Sequence, residues 1–211
     1  MIKMNVDLTL IGMKKGRQYE TIISTKNEDG SKNASPIGVL CAGKDTIINR
    51  IFKGSHTLDN IIREKEFIVN ITNDPELFTT STLGNLSQNH FNEDCSIKNI
   101  KSYFKCEVVS LTEAIKQSDP IRNKGEAKVI KSKVNELIIK DEIHALNRGF
   151  GYVIETLSNF TRFDLVNDSQ KEEYLKRFRE ANRVVVKVGT KEDIKAMQKI
   201  KKELMKKGYE P

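Results

Sequence analysis

The chain has 211 residues, of which 37% are hydrophobic and 31% are charged, and its formal net charge is +7. This length fits one large domain or a medium domain with a small one, and the apolar content is sufficient for a buried core, which excludes a disordered chain. No apolar run approaches the length of a bilayer-crossing helix, so the sequence predicts no transmembrane segment.

The beginning of the chain and its cysteines indicate the compartment. The segment MIKMNVDLTLIGMKKG has Asp7 inside its apolar part and lacks a small-residue cleavage site, so we do not expect a signal peptide. Cys41, Cys95 and Cys106 are odd in number, widely spaced and without a CxxC pair. This pattern favours a reducing compartment over a disulfide framework or a zinc site. We therefore predict a cytoplasmic protein without a metal site.

Six strands are predicted in the first two thirds of the chain. Runs rich in β-branched and apolar residues, most of them separated by turn or loop residues, occur at 20–25, 35–40, 46–52, 67–72, 103–111 and 126–134. Asp29-Gly30 predicts a hairpin turn, because this pair readily adopts positive φ. Helices are expected in SHTLDNIIREKE, beginning at Ser55 or Thr57, and at 76–83 after Pro75. Many short strands with few helices favour a barrel over a doubly wound sheet.

Three amphipathic helices are predicted after about residue 140, where the apolar period changes. The stripes recur at three and four residues and consist of Ile143, Leu146, Phe150, Val153, Leu157 and Phe160; then Tyr174, Phe178, Ala181, Val185 and Val188; then Ile194, Met197, Ile200 and Leu204. Gly189 and Gly208 are expected to follow the second and third helices, and Thr190 with Asp193 predicts a cap for the third. The predicted domains are residues 1–139 and 140–211.

Conventional catalytic motifs are absent from the sequence. It contains no GxSxG, HExxH, Walker A or GxGxxG pattern, and its histidines are His56, His90 and His144. His90 is expected in a surface loop, and His144 near the start of a helix, facing solvent. No catalytic acid or base is assigned.

The segment INRIFKGSHTLDN predicts an anion site. A strand ends near Arg50 and Lys53, Gly54 permits a tight turn, and Ser55 and Thr57 lead into a helix. Unpaired amides at a helix start favour an anion, and an arginine can bind a phosphate through two parallel hydrogen bonds. The alternative is an ordinary N-cap with basic neighbours.

The strand NASPIGV is unusual because its residues weaken a strand. Small residues and a proline leave space and unpaired backbone groups, which suits a flat ligand lying against the sheet. An edge strand at a bulge is the alternative. Together with the anion site, the strand indicates a planar, phosphorylated ligand.

The segments ETIISTKNEDGSKNASPIGV and NRIFKGSHTLDNIIREKEFIVNIT resemble the FMN-binding split barrels of the flavin-reductase-like and pyridoxamine-phosphate-oxidase-like superfamily. The shared order is a strand ending in Ser or Thr, a DG turn, an Asn-Ala-x-Pro strand, a further strand, a Ser/Thr-led helix and a strand ending in Val-Asn. With its helical tail, the chain looks like one largely archaeal, functionally uncharacterised family of that superfamily. The resemblance covers most of the chain, most specifically 19–72. It implies an α+β fold, a split β-barrel followed by a C-terminal three-helix region.

The resemblance also implies the binding residues. In such barrels an arginine near the strand end and hydroxyls of the following loop hold the flavin phosphate, and these map to Arg50, Ser55 and Thr57. Lys53 adds charge there, and Asn60 is expected to support the loop.

The isoalloxazine ring would lie along the small-residue strand, with backbone groups of Ser35 and Ile37 in reach of its polar edge. The ring-contacting residues implied by the resemblance are Ala34, Ser35, Pro36, Ile37 and Gly38.

The function expected from the resemblance is that of an FMN-dependent oxidoreductase, acting with NAD(P)H on flavin or a small acceptor. A nicotinamide-binding signature is missing, so a non-enzymatic FMN storage or sensing module remains open. A basic nucleic-acid or protein-interaction domain is the third alternative, and nucleic acid is disfavoured because much of the excess charge lies in KEDIKAMQKIKKELMKKG, typical of a solvated helix face. The resemblance further implies a homodimer with two flavins at its interface.

Overall fold

The computed structural model describes residues 6–84, 86–116 and 125–211, and the first five residues of the N-terminal segment considered above lie outside them. The chain forms two compact units that divide between Leu146 and Asn147. This division falls a few residues after the predicted boundary at 139, because residues 140–146 hydrogen-bond to the first unit. The amide of Ala145 donates to the carbonyl of Ile11 at 2.9 Å, and the amide of Glu20 donates to the carbonyl of Leu146 at 2.8 Å.

The first unit is a closed antiparallel barrel in the order β1-β2-β3-β6-β5-β4. Its strands are β1 Gln18–Lys26, β2 Lys32–Cys41, β3 Thr46–Phe52, β4 Glu66–Ile71, β5 Ser102–Lys116 and β6 Gly125–Ile139. The predicted barrel is thus confirmed, and β5 and β6 are longer than predicted. The predicted turn joins β1 to β2, with Gly30 at φ +83°.

Strand alternation separates an inner from an outer face. On β3, Ile47, Asn49 and Ile51 are buried, whereas Arg50 and Phe52 are exposed. The inner residues form the barrel core with apolar side chains of the other strands. The outer face of part of the barrel is covered by a second apolar group, which we call the outer cluster; its buried members are Ile22, Ala34, Ile68, Phe91, Ile97, Ile100 and Tyr103.

Asn70 is a buried polar residue that joins β4 to two neighbours. Its Nδ2 donates to the carbonyl of Ile22 at 3.0 Å and to Oγ of Ser24 at 2.9 Å. Its Oδ1 accepts from the amide of Ile97 at 2.9 Å. Each of these hydrogen bonds is buried, so Asn70 fixes the loop that carries Ile97 against the outer face of the barrel.

Two helices belong to the barrel unit, α1 His56–Glu64 and α2 Pro75–Thr82. Ser55 caps α1, as one of the two predicted starts, and the apolar residues Leu58 and Ile61 enter the barrel core. Pro75 occupies the first turn of α2, where its missing amide costs no intrahelical hydrogen bond.

The second unit contains α3 Gly149–Arg162, α4 Asp168–Val188 and α5 Lys191–Lys206. The predicted stripe of the first of these helices was wrong in part. Ile143 and Leu146 precede α3, because their segment is held extended by the hydrogen bonds given above. Phe150 and Leu157 are exposed, and the buried face is formed instead by Gly149, Val153 and Thr156.

The predicted stripes of α4 and α5 are confirmed. All of their residues except Val188 lie in or against the core of the second unit, and Val188 is buried as well. Thr190 and Asp193 form the predicted cap, each side chain accepting from the other residue's amide. Gly189 follows α4 as predicted, although its φ of −69° is not left-handed. A glycine is required there because a Cβ would lie 2.6 Å from the carbonyl oxygen of Val185.

Among residues 6–84, 86–116 and 125–211, no helix combines the length and apolar character needed to span a membrane.

Candidate functional site

Strands β2 and β3 pair over only three residues of each strand. β2 pairs with β1 over the register from Lys32 to Leu40, but with β3 only from Val39 to Cys41. Among the described strands, residues 32–38 therefore have no partner on the side that faces β3. We call this part of β2 the open edge.

The direction of the backbone groups follows from strand alternation. The amide of Cys41 donates to the carbonyl of Arg17 at 2.9 Å, so the odd-numbered residues of β2 point their amides and carbonyls toward β1. Ser35 and Ile37 thus bond to β1, and Oγ1 of Thr21 also donates to the carbonyl of Ile37 at 2.8 Å. The predicted contact of the backbone groups of Ser35 and Ile37 with a ligand stays a prediction, although these groups face β1.

The even-numbered residues of β2 present their backbone to the open edge. Lys32 is already satisfied there, because its amide donates to Oε1 of Gln88 at 2.7 Å and its carbonyl accepts from Nε2 of Gln88 at 2.8 Å. Ala34 follows with an amide and a carbonyl, and Pro36 with a carbonyl only. The open edge thus offers a short row of backbone donors and acceptors to a ligand.

The small side chains of β2 are explained partly by the protein's own packing. Ala34 is buried in the outer cluster, and a Cβ on Gly38 would lie 2.5 Å from Nε2 of Gln18. Pro36 lies on the same outer face and is half-buried. Small residues at these positions therefore fit the packing of this part of the strand.

The start of α1 lies against the open edge. Oγ1 of Thr57 donates to Oγ of Ser35 at 3.0 Å and accepts from Nδ2 of Asn33 at 2.9 Å. Oγ of Ser55 donates to the carbonyl of Phe52 at 3.1 Å and accepts from the amide of Leu58 at 3.3 Å. The fold thus brings the predicted residues Ser35, Ser55 and Thr57 into one region.

Amides at this helix start are available to an anion. Within the described residues, the amides of His56 and Thr57 have no hydrogen-bond partner, as expected for the first turn of a helix. Gly54 precedes the cap with φ +80°, and a Cβ there would meet nothing within 4 Å. Unpaired amides and the positive end of the helix dipole favour a negatively charged group.

Arg50 and Lys53 differ in their electrostatic surroundings. Arg50 is exposed on the outer face of β3 and has no ion pair within the described residues. Nζ of Lys53 lies 2.7 Å from Oε2 of Glu126 and 3.4 Å from Oε2 of Glu113, and the hydrogen bond to Glu126 raises the pKa of Lys53. The charge of Lys53 is thus compensated by two carboxylates, whereas the part of the chain that the structure describes offers none to Arg50.

Asn60 holds α1 to the neighbouring hairpin. Its Nδ2 donates to Oγ1 of Thr25 at 3.0 Å and to Oδ1 of Asn27 at 2.7 Å. The side chain is buried and acts as a support for α1. A direct contact of Asn60, Thr57 or Lys53 with a ligand stays a prediction.

Sequence reasoning missed three residues that shape this site. Asn33 orients Thr57, Gln88 closes one end of the open edge, and Gln18 covers Gly38. Asn33 belongs to the Asn-Ala-x-Pro pattern and was recognisable from it. Gln88 lies in a polar loop distant in sequence from β2, so no local signal identifies it.

The thiol of Cys95 lies near this region of the barrel unit. Cys95 packs against the outer cluster, which includes Ala34, and burial raises its pKa to about 11. The Cys95 side chain is therefore a neutral thiol at physiological pH and is a poor nucleophile.

Comparison with known proteins places both units in one family. Residues 19–144 match the model described as "Protein of unknown function (DUF447) N-terminal domain", and residues 147–202 match "Protein of unknown function (DUF447)". A crystal structure of an FMN-bound DUF447 protein from Methanosarcina mazei is 28% identical, with a TM-score of 0.52, and the match covers 92% of this chain and 98% of that one.

Two further solved structures match this chain at lower identity. A protein with a split barrel domain from Shewanella frigidimarina is 14% identical with a TM-score of 0.46, over 60% of this chain and 69% of the other. Component B of nitrilotriacetate monooxygenase from Bacillus cereus is 11% identical with a TM-score of 0.46, over 72% and 89% of the two chains.

Proposed function

This chain belongs to the DUF447 family, and on that premise we propose that it binds FMN at the open edge of β2 and serves as a flavin-dependent oxidoreductase. One observation carries the proposal. Among the residues that the structure describes, the open edge of β2 lies beside a helix start whose first amides lack partners, and Arg50 of the adjacent strand has no carboxylate partner. A family member that matches over almost its whole length holds FMN.

The residues of this chain fit the two ends of such a cofactor. Backbone groups of Ala34 and Pro36 would hold the polar edge of the ring, because they face the open edge, where the described strands give them no partner. The guanidinium of Arg50 and the amide of His56 would hold the phosphate, with the Ser55 hydroxyl turned from the carbonyl of Phe52 to donate to it. Bound FMN would supply hydride or electron transfer, and the protein would orient and shield it.

Ser35 and Thr57 would position the site. Their mutual hydrogen bond joins the open edge to α1, so it fixes the distance between the part that would hold the ring and the part that would hold the phosphate. Ile37 and Gly38 would extend the flat surface beside the ring. No side chain is assigned as a catalytic acid or base.

The proposed assembly is a cytoplasmic homodimer. Within the second unit, α3 has a second apolar face beside its buried one, with Phe150, Ile154 and Leu157 64%, 46% and 40% exposed. Such a face needs a partner, and two-fold pairing is the commonest assembly of soluble proteins. Light scattering should report about twice the chain mass of 24.1 kDa. A monomeric mass at micromolar concentration, with FMN bound, would overturn the dimer.

The test of cofactor binding is the absorbance of the purified protein. We expect a yellow protein with a band near ~450 nm, as for bound flavins, and restoration of that band when the stripped protein is mixed with FMN. A colourless protein that takes up no FMN would refute the proposal and favour the interaction-domain alternative.

The test of catalysis is anaerobic addition of NADH or NADPH. Bleaching of the band, followed by its return on admission of an acceptor, is expected for an oxidoreductase. A band that neither donor bleaches would favour the storage or sensing alternative for this site.

A further inference from the structure

The outer face of the β3–β6 ladder carries Lys131 in addition to Arg50. Ile48 of β3 lies directly opposite Lys131 of β6, and Arg50 lies opposite Val129. The inner neighbours Ile130 and Ser132 are fully buried and Lys131 is exposed, so Lys131 points outward like Arg50.

Arg50 and Lys131 are diagonal neighbours on this face. Residues in that relation have Cα atoms roughly 7–8 Å apart, a distance that long side chains can bridge. Two cations so placed repel each other, and the repulsion weakens the sheet unless a negative group lies between them.

Other lysines near this face have acidic neighbours. Lys128 forms an ion pair with Glu113, with Nζ 2.6 Å from Oε1. Lys133 lies directly opposite Glu107 in the β5–β6 ladder.

Lys131 has no comparable neighbour. It lies opposite Ile48 on one side and Ser110 on the other, and within the described residues it has no ion pair. The part of the chain that the structure describes therefore leaves Arg50 and Lys131 as adjacent, uncompensated cations.

We propose that Arg50 and Lys131 together bind a phosphate group of a nucleotide on the outer face of the β3–β6 ladder. The proposal deepens the function proposed above and rests on it. The phosphate has two possible sources, FMN itself or a nucleotide electron donor. The planar fork of Arg50 would hold two oxygens, and the ammonium of Lys131 would add a point charge from the neighbouring strand.

The test compares Lys131→Gln with Lys133→Gln, a control on the same strand and face whose lysine already faces Glu107. Stripped protein is titrated with FMN and with riboflavin, which lacks the phosphate, and the flavin-loaded protein is titrated with NADPH. We expect Lys131→Gln to weaken FMN or NADPH binding about three- to five-fold, as for an exposed ion pair, with riboflavin and the control unchanged.

The affected ligand identifies the source of the phosphate. Weaker binding of FMN alone would assign Lys131 to the flavin phosphate, and weaker binding of NADPH alone would assign it to the donor. Unchanged affinity for both ligands, or an equal loss in the control, would overturn the proposal.

A separate measurement distinguishes this failure from failure of the proposed function. Inorganic pyrophosphate should raise the melting temperature of the stripped wild-type protein and have less effect on Lys131→Gln. A wild-type protein stabilised by pyrophosphate but unable to bind FMN would support the anion site and refute the flavin function. Equal stabilisation of the wild type and Lys131→Gln by pyrophosphate would refute the role of Lys131.

Discussion

Replacement of Arg50 by alanine should weaken FMN binding without changing the fold. The Arg50 side chain is exposed on β3 and contacts no carboxylate within the described residues. Its removal should therefore change the free energy of unfolding by no more than about 0.5 kcal/mol. A hydrogen-bonded contact of a charged guanidinium with phosphate is worth roughly 1.5–3 kcal/mol, so the Kd for FMN should rise about ten-fold or more.

Arg63 provides a matched control for this prediction. Its guanidinium is occupied inside the protein, where it donates to Oδ1 of Asn60 at 3.2 Å, to Oε1 of Glu64 at 2.8 Å and to the carbonyl of Lys26. Arg63→Ala should destabilise the protein by about 1 kcal/mol, a value reduced because the side chain is partly exposed. It should leave the FMN affinity unchanged.

The assay combines flavin-fluorescence titration of each stripped variant with urea unfolding. Arg50→Lys should recover only part of the affinity, because an ammonium cannot reproduce the planar fork. Riboflavin should bind the wild type and Arg50→Ala equally well. A folded Arg50→Ala protein with wild-type affinity for FMN, or equal losses of affinity in both arginine variants, would refute the assignment of the phosphate to Arg50.

Further predictions concern the hydrogen bonds and the thiol of the barrel. Asn70→Ala should lower the free energy of unfolding by about 2–4 kcal/mol in urea titration, because the buried amide of Ile97 loses its acceptor. Asn49 is also buried, but its side-chain amide has no partner among the described residues, so Asn49→Leu should lower the free energy of unfolding by less than about 1 kcal/mol. Equal losses of stability in the Asn70 and Asn49 variants would contradict this reasoning. Thr57→Val should lower the free energy of unfolding by about 1–2 kcal/mol, because it removes the hydrogen bond to Ser35. Wild-type stability in that variant would show that this hydrogen bond contributes nothing. Since burial raises the pKa of Cys95 to about 11, alkylation by iodoacetamide should be slow at pH 8 and accelerate as the pH rises toward 11; rapid alkylation at pH 8 would contradict the buried thiol.

Local signals in the sequence were sufficient to predict most of the elements. Alternating apolar residues placed β3 at its observed bounds, Asp29-Gly30 placed the first hairpin, and Ser55 placed the start of α1. These features depend on residues adjacent in the chain, which is why they are readable from it. The same reasoning failed at Ile143 and Leu146, because the periodicity of a helix continued by chance into a segment that hydrogen bonds hold extended.

The candidate site could be predicted only as a set of residues. The sequence indicated Arg50, Ser55 and the small-residue strand, since each belongs to a local pattern. It did not indicate that β2 pairs with β3 at only three positions, or that Thr57 hydrogen-bonds to Ser35. Nor did it indicate toward which neighbouring strand each backbone group of β2 points. These properties depend on the register between strands and on where a helix packs.

Lys131 illustrates the same limit. It is separated from Arg50 by many residues, and nothing in its own segment distinguishes it from Lys128 or Lys133. Only the pairing of β3 with β6 places it beside Arg50, whereas Lys128 forms an ion pair with Glu113 and Lys133 lies opposite Glu107. Local propensity therefore determined the elements, whereas the surroundings of each charge were decided by contacts between residues distant in sequence.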